Sequence, residues 1–188
     1  ISILEPVEYA KRDGTTGISY NVKKVFDIAQ TDAKRQPQIH YDDRLLLSAL
    51  ISKRPVPIEM ADSVQNGAVY DYERKTIFVQ RGMDGQDLFR SVSLALARAE
   101  MAQQENSTPQ ADAFKSYCVS YMLCRKYGVD TQGYDFSRLP DELKNAEPQT
   151  IRGELTDIRD TLQTMTGKMA RTLEQSRTAA QKETGKER

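Results

Sequence analysis

The sequence contains no tryptophan, one histidine and two cysteines among its 188 residues. Each scarcity removes a class of chemistry. With His40 as its only imidazole, the chain cannot supply a paired-histidine metal site. As a catalytic base His40 would need a nucleophile and an orienting acid. Asp42 and Asp43 are near it in sequence, but no nucleophile signature accompanies them, so a surface or hydrogen-bonded histidine is expected. Cys118 and Cys124 share one helical segment, where their spacing sets them on divergent faces and disfavours a disulfide. They read as buried thiols of a reducing compartment. Cys118 has no obvious base beside it and makes a weak nucleophile.

Long apolar runs are missing as well. The longest aliphatic cluster, Leu45 to Ile51, falls far short of the ~20 residues that a membrane span requires. No secretory signal is visible, so no membrane association and a cytoplasmic location are expected. Neither sign of charge prevails: 27 basic residues balance 27 acidic ones, which predicts no polyanion partner from average charge alone. There is no phosphate-cradling glycine loop, since Gly14 and Gly17 fit a hairpin turn. The chain begins at Ile1 without a methionine and is expected to be a piece of something longer.

What is present is an α+β pattern with 38% hydrophobic residues, enough for one core, and 29% charged residues for a solvated surface. Residues 1–31 read as an N-terminal β-hairpin and junction: Ile3, Val7 and Tyr9 precede the turn Asp13-Gly14, and Ile18, Tyr20 and Val22 follow it. Residues 32–147 read as the main domain. A helix from Tyr41 to Lys53 ends at Pro55 and Pro57, and Val56, Ile58 and Met60 alternate as a short edge strand. Ala68 to Gln80 forms a second hairpin. An apolar helix runs from Gln86 to about Gln104, and a further helix from Ala111 to Lys126 closes at Gly128.

Residues 148–176 carry Ile151, Leu155, Ile158, Leu162, Met165 and Met169 at alternating spacings of four and three, an amphipathic helix that must dock on something. Its cover is expected from its own domain, from the rest of a larger parent protein, or from another protein. Residues 177–188, polar and charged, read as a disordered tail.

Two stretches carry a family resemblance. The first is Ile3-Leu4-Glu5-Pro6-Val7-Glu8-Tyr9 with the later run Tyr20 to Thr31. The second is Ser120-Tyr121-Met122-Leu123-Cys124-Arg125-Lys126-Tyr127-Gly128-Val129-Asp130. Together they resemble ArdC-type antirestriction proteins, in which an N-terminal single-stranded-DNA-binding domain joins a C-terminal metallopeptidase-like domain. The resemblance covers most of residues 1–145. It implies the ImmA/IrrE-like zincin fold, here a small domain of β-hairpins and helices with an added C-terminal helix, and it implies kinship with proteins of conjugative or other mobile elements.

The family's zinc site needs H-E-x-x-H on one helix, so that both imidazoles share a face and the glutamate activates the metal-bound water. Placing Leu94-Ala95-Leu96-Ala97 on the family's L-A-H-A puts Val92 and Leu96 at the histidine positions and Ser93 at the glutamate. Tyr117 falls where an acidic ligand from the second helix would sit. The resemblance therefore implies a degenerate peptidase with no catalytic residue and no cofactor, its emptied metal pocket filled by these side chains. The expected function is a non-catalytic interaction or structural domain of a larger mobile-element protein. The alternative is a single-stranded nucleic-acid module, with Lys23, Lys24, Tyr70, Tyr72, Arg74 and Lys75 as candidate contacts, because strand tyrosines beside basic residues suit base stacking and phosphate binding.

Overall fold

The computed structural model describes residues 2–26, 41–104 and 107–184, with side chains through residue 176. His40 and the 27–31 part of the junction lie outside the described residues. The chain divides into two compact units, Ile1–Ile39 and His40–Arg188.

The first unit is an antiparallel hairpin of β1 (Ser2–Ala10) and β2 (Thr16–Lys24). Lys11 to Thr15 make the reversal. Gly14 sits at φ 81° and donates its N–H to the Lys11 carbonyl, while the Asp13 carboxylate accepts from the Thr15 N–H and hydroxyl. Glycine is the residue that takes such a φ without Cβ strain. The pairing puts Leu4, Pro6, Ile18, Tyr20 and Val22 on one face.

The second unit is built around one helix. α1 (Asp43–Ile51) starts where the Asp42 carboxylate accepts from the N–H groups of Arg44 and Leu45, as helix-start chemistry requires. The sheet that follows has the order β3 (Ile58–Ala61), β5 (Thr76–Gln80), β4 (Ala68–Asp71). β3 runs parallel to β5, and β4 antiparallel to it. The expected edge strand is thus present at an edge, beginning at Ile58, while Val56 is buried ahead of it. The register places Ile58, Met60, Ile77, Val79, Ala68 and Tyr70 on the inner face and Glu59, Phe78 and Val69 on the outer face.

α2 (Gly85–Met101) is capped by Asp84, and α3 (Pro109–Tyr127) by Thr108 with proline at its first position. α3 ends at Gly128, in the left-handed conformation at φ 75°. α2 buries Phe89, Val92, Ser93, Ala95, Leu96, Ala97, Ala99 and Met101, so it is covered nearly all round. After the short α4 (Asp141–Lys144) comes α5 (Pro148–Thr184), which packs on α1, α2 and α3.

α5 differs from expectation at both ends. Its apolar stripe docks on its own domain from Ile158 through Met165, Met169 and Leu173, all buried, with Leu162 half-buried. Ile151 and Leu155 of the same stripe stay open, Leu155 at 59% exposure. The boundary falls where the ion pairs begin: Lys115 Nζ sits 2.9 Å from Asp157 and 3.8 Å from Glu154, and further along Lys168 pairs with Glu100. Instead of stopping near residue 176, the helix continues to Thr184, because nothing in Gln175 to Thr184 supplies a glycine or proline to end it.

Candidate functional site

α2 presents two unlike sides, and the positions singled out in the sequence divide between them. Val92 faces the sheet. It lines a groove of about 260 Å³ together with Leu47 and Ile51 of α1, Ile58 of β3, Val79 of β5 and Leu88 of α2. Met60, on the inner face of edge strand β3, also lines this groove and remains 50% exposed. Arg54, just after α1, is its one charged lining residue.

Ser93, the next residue, is turned by the ~100° helical step toward α3, and is fully buried. Its Oγ lies 2.6 Å from Ser120 Oγ, which lies 2.6 Å from Tyr134 OH, which in turn lies 3.4 Å from Cys124 Sγ. Ser93 itself donates to the Arg90 carbonyl at 2.9 Å. One arrangement lets every group donate once: Cys124 to Tyr134, Tyr134 to Ser120, Ser120 to Ser93, Ser93 to the carbonyl. Among the described residues, no buried side-chain polar atom lacks a partner, as close-packed interiors require. Burial pushes both the Cys124 thiol and the Tyr134 hydroxyl above their ordinary pKa values. The relay is therefore neutral at physiological pH. Among the described residues no carboxylate bonds to its hydroxyls, and none of those residues is a histidine, so they supply it no activating base.

Tyr134 belongs to the loop after α3, which returns along that helix. The Tyr117 ring packs at a tilt against Tyr134 and Phe136, at 5.0 and 5.2 Å between centroids, and its hydroxyl accepts from the Asp135 N–H at 2.6 Å. Tyr121 packs against the same two rings. Arg90 fixes the loop's start by donating to the Asp130 carbonyl and carboxylate, at 3.0 and 3.2 Å, while also pairing with Asp87.

The four residues that the resemblance sets at zinc-site positions have different surroundings. Val92 borders an open groove, Leu96 is in the core, Ser93 joins a buried relay, and half-buried Tyr117 braces a loop. These residues do not fit a zinc ion: three of the four side chains cannot ligate it in their surroundings, and Ser93 is already satisfied. Among the described residues, no three His, Cys, Asp or Glu side chains gather where they could hold a metal.

The six candidate nucleic-acid contacts belong to both units, Lys23 and Lys24 to the hairpin and the other four to the second unit. Lys23 pairs with Glu5 at 2.8 Å in the hairpin unit, on the opposite strand face from Lys24. In the second unit Tyr70 is 4% exposed, which withholds its ring from base stacking, and half-buried Tyr72 donates to the buried Asp112 at 3.3 Å. Arg74 lies over the Phe78 ring at 5.8 Å, and Lys75 sits in the β4–β5 turn at φ 49°.

The groove itself was not legible as a site. Arg54 has the look of a helix-terminal charge, and Met60 that of one more residue in an alternating strand. Their pairing across the groove depends on how α1, the sheet and α2 meet. No protein-family model, curated protein or solved structure matches the chain.

Proposed function

We propose that this chain is a non-catalytic interaction domain on a metallopeptidase-like scaffold, a part of a larger cytoplasmic protein of a mobile element concerned with conjugation or antirestriction. The observation that carries the proposal is the split between Val92 and Ser93. The position aligned with the first zinc histidine opens into an apolar groove, while the position aligned with the catalytic glutamate is turned away and consumed in a hydroxyl relay. A hydrolytic site would need an activated water and a base on the same side. A groove lined by aliphatic side chains and one arginine suits the capture of a polypeptide and no bond cleavage.

The test is elemental analysis of the purified chain after dialysis, paired with an assay on fluorogenic peptides. Traces of zinc and no cleavage are expected. One zinc per chain, or cleavage abolished by a chelator, would overturn the proposal.

A further inference from the structure

The groove lies beside a sheet edge that is unpaired among the described residues, and the backbone bonding shows which residues face outward there. The Ile77 N–H donates to the Pro57 carbonyl at 2.9 Å, and the Arg81 N–H to the Ala61 carbonyl at 3.0 Å. In a parallel pair the residues alternate in the side to which they turn their peptide groups. Residues 57, 59 and 61 thus face β5, while Ile58 and Met60 turn both N–H and C=O outward. Among the described residues β3 has no neighbouring strand on that side. The same two residues send their side chains into the groove. An open backbone ladder and an apolar cavity are therefore presented by one pair of residues.

Arg54 adds the third feature. Its guanidinium donates to the Ile51 carbonyl at 3.4 Å, and among the described residues it has no carboxylate within ion-pair distance. A cation left without an anion at the mouth of an apolar groove calls for a negative group from the occupant.

We infer that this face binds an extended peptide segment that adds as a strand to β3, seats a bulky apolar side chain against Leu47, Leu88 and Val92, and brings a carboxylate to Arg54. Strand addition explains why the outward ladder belongs to residues whose side chains form the pocket: main-chain bonds give affinity and alternate side chains give selectivity. A docked helix would leave the N–H and C=O groups of Ile58 and Met60 without partners. The inference rests on the non-catalytic reading and deepens it by naming the ligand class.

The test uses the whole chain and an array of synthetic decapeptides that carry leucine or phenylalanine at alternate positions with one glutamate or aspartate. Hits are measured by fluorescence anisotropy. Met60→Pro removes one outward N–H without breaking a bond to β5, a position where edge strands accept proline. Arg54→Glu reverses the charge. Each variant's thermal midpoint is measured first, and a destabilised Met60→Pro is replaced by Met60→Asp, which spoils the groove alone.

Acidic-apolar peptides are expected to bind, and each variant to weaken them by about tenfold or more. Binding indifferent to both substitutions, or no bound peptide with the chain still zinc-free and inactive, would overturn the peptide assignment and leave the non-catalytic reading standing. A concentration-dependent dimer abolished by Met60→Pro would show that a second copy is the occupant, and would also overturn it. Cleavage of the bound peptides would sink the underlying reading.

Discussion

The two sides of α2 solve opposite problems with adjacent residues. Toward α3 the helix is closed: Ser93 meets Ser120 at hydrogen-bond distance, and the returning loop seals the contact with Tyr134. Toward β3 it is open, and Val92 borders a cavity that neither α1 nor the sheet fills. The closed side uses small and polar residues, which let helices approach and then must satisfy every hydroxyl. The open side uses branched aliphatic residues, which keep neighbours apart and need no partner.

The largest effect should come from the core shared by both sides. Leu96→Ala is expected to lower unfolding stability by about 2–5 kcal/mol, the range for truncating a buried leucine, measured by urea titration. An unchanged midpoint would mean that α2 is rotated from the orientation described.

A smaller effect should separate the closed side from the open one. Ser120→Ala removes the middle of the relay and strands the Tyr134 hydroxyl, at a cost of about 1–3 kcal/mol. Adding Ser93→Ala and Tyr134→Phe should then cost less than the sum of the single changes, because the partners disappear together. Strict additivity would dissolve the relay into unrelated contacts.

The smallest effect is a dependence on alkaline pH. Burial raises the Tyr134 hydroxyl from its ordinary 10.0, so the folded protein holds this proton more tightly than the unfolded chain does. This contribution is fully present below pH 10.0 and declines as pH rises toward the folded value. Comparing urea midpoints of wild type and Tyr134→Phe near neutrality and above about pH 10 isolates it from the other buried tyrosines. Parallel declines in the two proteins would remove Tyr134 as a cause.

Much of the fold could be read from local chemistry. Asp13-Gly14 and Gly128 each mark a turn or a helix end, because these signals depend on one residue and its immediate backbone, whereas the Thr108 cap that starts α3 before Ala111 went unread. The α+β class followed from the same signals. The site was far less legible. Helical spacing says that Val92 and Ser93 diverge, but which neighbour each one meets depends on contacts with Ile58, Val79 and Ser120, far along the chain. Tyr134, in a loop without periodicity, gave no sign of reaching α3. The α5 stripe was visible in the sequence, yet its division between covered and open turns depends on Lys115 across the interface.

The docking of α5 also sets a timetable for synthesis. Ser52, at the end of α1, shares a hydrogen bond of 2.9 Å with Thr172, 120 positions later. Leu46 and Leu50 of α1 join the core to which α5 contributes Met165, Met169 and Leu173. At ribosomal rates of roughly 5–20 residues per second, α1 waits on the order of ten seconds for its cover to be made. Through that interval the nascent chain displays the apolar surface that α5 will bury, and the domain cannot complete its core until its last helix emerges.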